Sequence, residues 1–368
     1  MLGRRTRVLT HKLDSSTMPN YFEKRFGSKG LKVLASAIIF IFLIPYTASL
    51  YNGLSRLFNM AFSVDYTVCV IVMAVLTGIY VIIGGYMATA INDFIQGIIM
   101  LIGIVAVIGA VLNQHGGLMG SLIELARYSD PNTVNGDVPG IFASFLGPAP
   151  FSLLCVVILT SLGTWGLPQM VQKFYAIKSE KAVKTGTIVS TFFAVIVAGG
   201  CYFLGGFGRL TAGAVETKPD GSIIYDSVIP TMIQNLPEIL IAVVVILVLS
   251  ASMSTLSSLV LTSSSTLTLD FIKGTIVKNF SEKKQMLTMR ALVVVFIAIS
   301  AIIAVVQYKS SVTFIAQLMG ISWGALAGAF LAPFLYSLYW KKTTVASCWV
   351  SFISVSYTHL TLPTKLEV

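Results

Sequence analysis

Charge is scarce in this sequence. Aspartate, glutamate, lysine and arginine make up only 11% of its 368 residues, against roughly a quarter of an ordinary globular chain. Hydrophobic residues make up 55% and the mean hydropathy is +0.85, so most of the chain's surroundings must be apolar. Cysteine is equally sparse: Cys69, Cys155, Cys201 and Cys348 stand singly within apolar runs, which excludes a disulfide framework and a Cys/His zinc cluster. The three histidines, His11, His115 and His359, lie outside the apolar runs. No carboxylate pair stands at catalytic spacing inside one, so chemistry at membrane depth lacks its acid–base groups, and the chain does not read as an enzyme. A GxxxxGK[ST] loop is missing too, which removes nucleotide-driven pumping from what this chain encodes. The net charge of +10 would suit nucleic acid, but it sits in short loops between apolar runs, so no nucleic-acid partner is expected.

What the sequence does have is long apolar runs. A membrane-crossing helix needs about 20 such residues. Runs of this kind fall at 33–54, 66–89, 91–113, 146–169, 187–208, 236–262, 290–308 and 312–338, with a shorter one starting at 343. The expectation is an all-α polytopic membrane protein of about nine transmembrane helices. Basic loops set its orientation. Of the 25 lysines and arginines, five (Arg56, Arg127, Arg209, Lys218, Lys309) fall in loops on one side, Lys365 lies in the tail, and the other 19 fall on the opposite side. Lysine and arginine in short loops stay cytoplasmic, so residues 1–32 read as a cytoplasmic basic loop of a multi-pass inner-membrane protein. Residues 33–354 form the membrane core. The stretch SVSYTHLTLPTKLEV turns polar and resembles translated sequencing-adapter read-through, so 355–368 reads as a non-native tail.

Three stretches carry chemistry. Asp93 is an ionisable group in an apolar run, costly there and therefore a place to look for function. Gln96, three residues on, shares its helical face. Asp93 could line an ion or solute path, or could cap the start of its helix. In LSASMSTLSSLVLTSSSTLTLDFIK, Ala251, Ser254, Thr255, Ser258, Thr262 and Ser265 recur at spacings of three and four, a stripe on one helix face. Such hydroxyls can ligate a hard cation without burying a charge, or can bond back to their own helix and tighten packing. In GTWGLPQMVQKFYAIKSEK, Pro168 removes a backbone donor and breaks the helix, and Gly163 and Gly166 loosen it. Thr160, Thr164 and Trp165 precede that break, Trp165 also being a natural interfacial anchor. Gln317 lies among small residues in FIAQLMGISWGALAG, where it could line a cavity or merely accompany close helix packing.

IYVIIGGYMATAINDFIQG resembles the signature of the sodium:solute symporter family, with Tyr86 and Asn92 departing from its usual residues and Asp93 and Gln96 kept. The hydroxyl-rich and proline-broken stretches resemble the same family's sodium-site helix and its G-x-x-G-x-P segment. MPNYFEKRFGS resembles its loop after the third helix. The resemblance implies a partial LeuT-type inverted-repeat transporter fold, in which 33–113 ends the first repeat, 146–338 is the second and 343–354 begins an accessory helix. It implies sodium as coupling ion held by Ala251, Ser254 and Thr255, an ion path or gate at Asp93 and Gln96, and substrate contacts from Thr160, Thr164, Trp165, Pro168 and Gln317. The implied function is sodium-coupled uptake of a small organic solute, with GTWGLPQ…GGFGRL slightly closer to the pantothenate and proline branches. A proton-coupled or uncoupled carrier on the same fold, or a non-transporting sensory component, are the alternatives. No cofactor beyond the ion, and no obligatory protein partner beside the lipid bilayer, is expected. Two core helices of the first repeat have no counterpart, so the chain reads as a fragment truncated at both ends, expected not to transport alone.

Overall fold

The computed structural model describes residues 2–129, 138–175, 177–218, 221, 223–277, 280–310 and 315–361, leaving aside the side chains of 85–89 and so of Tyr86. Thirteen α-helices occur among the described residues: α1 (Leu2–Lys12), α2 (Met18–Phe26), α3 (Lys29–Phe62), α4 (Tyr66–Gln114), α5 (Gly117–Arg127), α6 (Pro150–Ser161), α7 (Pro168–Val171), α8 (Glu180–Gly206), α9 (Val228–Ile233), α10 (Glu238–Thr266), α11 (Glu282–Ser310), α12 (Ile315–Tyr339) and α13 (Val345–Thr361). Seven stretches are single helices long and apolar enough to cross a membrane, and an eighth is a pair, Pro150–Gly166 with Pro168–Phe174, bent by 56°. The short last run is α13, 17 residues long, which carries on through 355–361 of the expected tail. It docks closely on α12 because Gly328 has no side chain: a Cβ there would stand 2.7 Å from Val355 Cγ1.

Two predicted spans, 66–89 and 91–113, form one helical run of 49 residues in α4. Straight, it would be about 74 Å long, far more than the roughly 40–45 Å of a bilayer with its headgroups. It cannot be straight. Asn92 Nδ2 donates to Tyr80 Oη at 3.1 Å, although twelve residues of straight helix would hold their Cα atoms about 18 Å apart. The two ends also return to one side. Tyr66 donates to the Ala304 carbonyl near the end of α11, and Gln114 donates to the Asn235 carbonyl just before α10. The run therefore doubles back as two antiparallel spans, as the loop charges require.

Residues 2–32, expected as a basic loop, carry α1, α2 and the first turn of α3. Thr17 caps α2 by accepting from Asn20 N–H, and Gly27 closes it in the left-handed conformation at φ 68°. Its apolar residues at 18, 21 and 22 form a stripe too short for a hydropathy scan but wide enough to seat deeply. Phe22 meets Phe352 edge-on at 5.1 Å and Tyr21 meets Phe334 at 5.3 Å. Tyr21 Oη donates to Ser337 Oγ at 2.7 Å, while Ser337 donates to the Phe334 carbonyl. Burial pushes the Tyr21 phenol up to about 12, so it stays a neutral donor.

The helix of α10 widens at its C-terminal end into a π-helical segment, Leu267–Ile276. Asp270 in this segment is buried, accepts from Thr17 Oγ1 at 2.6 Å and lies 3.8 Å from Lys32 Nζ. Lys32 in turn pairs with Glu23 at 2.8 Å. These bonds fasten α2 and the start of α3 to α10. Around them α3 is the central post, packing on α10, α11 and α12. By contrast no residue of α6 is buried, and α8 turns nearly all of its apolar surface outward.

Candidate functional site

The break between α6 and α7 follows from its residues. Pro168 cannot donate to the preceding turn, and the chain crosses Gly163–Gly166 as a tight 3-10 turn before α7 begins. Gly166 is needed for packing as well. A Cβ on Gly166 would come within 2.8 Å of the Leu331 backbone nitrogen, so only glycine lets this turn lie against α12. Thr160, Thr164, Trp165 and Pro168 are thus gathered on one element. Thr160 donates to the Val156 carbonyl at 2.8 Å and Thr164 to the Ser161 carbonyl at 3.1 Å, so both hydroxyl protons bond back to the helix and leave oxygen lone pairs outward. Trp165 is 44% exposed and Pro168 is buried. Gln317 is not brought to this group. The turn packs near Ala327 and Leu331, and Gln317 lies ten or more residues earlier on α12, about 15 Å along the axis.

On α10 the stripe is one face, as its spacing demands. Thr255 Oγ1 donates to the Ala251 carbonyl at 3.0 Å, placing those two oxygens side by side. Ser254 faces the Asp93 carboxylate from α10. Further down, Ser258, Thr262 and Ser265 line a cavity of about 510 Å3 together with Asp93, Gln169, Lys173 and Arg290. The hydroxyls therefore form a polar track from mid-helix towards the C-terminal end of α10 in an otherwise apolar bundle.

Asp93 lies within the helical run of α4 and caps nothing; the cap of that run is Asp65, which accepts from Thr67 and Val68 N–H. Among the described residues its Oδ1 is buried without a hydrogen-bond partner, as is Oε1 of Gln96 one turn on. Asp93 Oδ2 stands 3.9 Å from Lys173 Nζ. Two residues went unread in the sequence. Gln169 is 2% exposed, lines the cavity, and has no partner for either side-chain polar atom. Lys173 looked like one more cation of a basic loop. A proline followed by glutamine inside an apolar run was the signal for the first; nothing in the spacing pointed to the second.

At the opposite face, Asp226 Oδ1 accepts from Ile315 N–H at 2.9 Å, and Oδ2 lies 3.9 Å from Arg56 Nε. Burial raises the Asp226 carboxyl above the usual range, while the Ile315 N–H and Arg56 pull it back. Arg56 also bonds Asn52 Oδ1 at 3.1 Å and lies over the Tyr308 ring at 5.0 Å. No cluster of three or more His, Cys, Asp or Glu side chains fit to hold a metal occurs among the described residues.

With this geometry in place, comparison with known proteins is informative. The profile of the sodium:solute symporter family matches residues 2–353. The osmoregulated proline transporter OpuE of Bacillus subtilis (strain 168) is 29% identical over 348 residues, covering 93% of this chain and 67% of its own. A sodium/proline symporter of Haemophilus influenzae is 31% identical over 356 residues, covering 94% and 67%. One of Staphylococcus aureus is 31% identical over 350 residues, covering 93% and 64%. The chain thus spans about two thirds of the length of these relatives. A solved structure of a substrate-bound, outward-open Na+-coupled sialic acid symporter matches with a TM-score of 0.73 at 16% identity, over 99% of this chain and 83% of that one. At that identity the likeness speaks for the fold alone, the all-helical transporter fold that the sequence led one to expect.

Proposed function

The chain belongs to the sodium:solute symporter family, and from that premise we propose that it serves sodium-coupled uptake of a small organic solute across the plasma membrane. Proline is the first substrate to test, because the relatives above are named for it. The observation that carries the reading is the track of hydroxyls on α10, which leads past Asp93 into the cavity with no charge of its own on that face. A hard cation can travel such a track by exchanging water for hydroxyl and carbonyl oxygens. In this reading Ala251, Ser254 and Thr255 hold the sodium ion, and Asp93 and Gln96 serve its path. Thr160, Thr164, Trp165 and Pro168 meet the solute at the helix break, where freed backbone groups can bind its polar end. Gln317, set away from the break, serves the same solute only from the outer end of α12.

The rest of the assignment follows the charge pattern and the family. Residues 1–32 face the cytoplasm, 33–113 close the first repeat, 146–338 make the second, and 343–354 open an accessory helix. The driving force is the sodium gradient plus about 2.3 kcal/mol per elementary charge per 100 mV, so no cofactor is required. Reconstitution into liposomes of a carrier completed to the length of these relatives tests the reading. Labelled proline should accumulate under an inward sodium gradient and should not accumulate when choline replaces sodium. Equal uptake in choline would overturn sodium coupling; sodium-driven uptake of another solute but not proline would overturn the substrate.

A further inference from the structure

We propose that Lys173 is a tethered counter-cation that competes with sodium for Asp93, so that motion of the broken α6–α7 helix and discharge of the ion are coupled. The inference rests on the reading of Asp93 as part of the ion path. It starts from an imbalance. Asp93 lies in a span with Oδ1 buried and without a hydrogen-bond partner among the described residues, and Ser254 is the hydroxyl that faces its carboxylate, so its charge is only partly compensated. The compensating charge is that of Lys173, whose Nζ is 3.9 Å from Oδ2. Among the described residues Lys173 is the cation that reaches this carboxylate; Arg290 lines the same cavity from α11 without doing so.

The pair is built to be broken. The Lys173 side chain is 53% exposed and that of Asp93 25%. Pairs open to water on one side are worth roughly 0–1 kcal/mol, well within what an arriving cation can displace. Lysine also suits the task better than arginine, as a compact point charge on a flexible stem rather than a planar fork that locks onto a carboxylate.

The position of Lys173 gives the competition its timing. It stands on the turn Gln172–Phe174, directly after α7, and α7 is the short half of the bent pair. Any change in the 56° bend therefore moves its ammonium relative to Asp93. Sodium leaving the level of Ser254 enters the cavity that Asp93, Ser258 and Thr262 line. An ammonium swinging in at that moment replaces the ion's charge at the carboxylate, so the ion departs without leaving Asp93 unpaired in the membrane.

The test is 22Na binding to the full 368-residue chain in detergent, with choline chloride holding ionic strength constant. Lys173→Gln removes the competitor and should tighten sodium binding about threefold, the scale of an exposed pair. Lys173→Arg should restore most of the wild-type affinity, and Lys181→Gln, at an exposed cation of α8 outside the cavity, should change nothing. Asp93→Asn should weaken sodium binding and abolish the effect of Lys173→Gln. If Asp93→Asn leaves sodium binding unchanged, the reading of Asp93 fails and the proposal with it. If Asp93→Asn weakens binding but Lys173→Gln does not tighten it, the proposal alone fails.

Discussion

Thr255 offers a sharp discrimination, because a single oxygen separates its two roles. Its hydroxyl lies 3.0 Å from the Ala251 carbonyl, a geometry that serves both a back-bonded packing group and half of an ion site. Valine keeps the shape and loses the oxygen, whereas serine keeps the oxygen and loses a methyl. For an ion site, Thr255→Ser should bind sodium nearly as well, and Thr255→Val and Ser254→Ala should each raise the half-saturating sodium concentration about tenfold. Tenfold corresponds to about 1.4 kcal/mol, the upper part of the range for one lost polar contact. Ser257→Ala, whose hydroxyl bonds the Ser254 carbonyl at 3.0 Å on another face, should leave that concentration unchanged. Thr255→Val behaving like Thr255→Ser would reduce these hydroxyls to packing groups. The hydroxyl stripe was legible in the sequence because spacings of three and four fix a helix face before anything else is known. Lys173 and Gln169 were not, because their meeting with the cavity depends on the angle of the helix break, which no spacing encodes. Gln317 shows the converse: a polar residue in an apolar run marks a place of interest without saying which neighbours it meets.

At the scale of elements, the spans could be counted from hydropathy, while their ends could not. The helical run of α4 hides two spans, and only the Tyr80–Asn92 bond and the shared side of its ends show the reversal. Charge asymmetry between loops had required the same reversal, since one missed span would have inverted every later loop. The helices of 1–32 escaped notice because three apolar residues in a polar stretch carry no hydropathy signal; the aromatic pocket that receives them is made by α12 and α13. A second long-range device joins α12 to the segment before α9. Asp226, 89 residues before Ile315, accepts the first described N–H of α12 in the manner of a helix cap. Asp226→Ala should therefore cost about 1–2 kcal/mol, read as a lowered thermal midpoint in detergent. Asp226→Asn keeps the acceptor and loses the pairing with Arg56, and should cost about half as much. Equal losses would mean that the ion pair, not the cap, holds this junction.

For the whole molecule, orientation is the property everything else depends on. Phe145 is 97% exposed in the long loop before α6, and Lys283 is exposed at the start of α11. In a background without Cys155 and Cys201, the two exposed cysteines, Phe145→Cys should react with an impermeant thiol reagent on intact cells and Lys283→Cys should not. The reverse pattern would turn the molecule over. A last consequence concerns the order of assembly. The seat of α2 consists of partners made long after it: Ser337 is 316 residues beyond Tyr21, and Asp270 is 253 beyond Thr17. Contacts of such separation form slowly because the intervening chain must first be ordered. Chains are released from the ribosome at about 5–20 residues per second, so α2 must wait some tens of seconds at the membrane surface with Phe22 and Tyr21 uncovered. Docking of α2 therefore follows the synthesis of α12, and the aromatic stripe that anchors it stays without its seat until then.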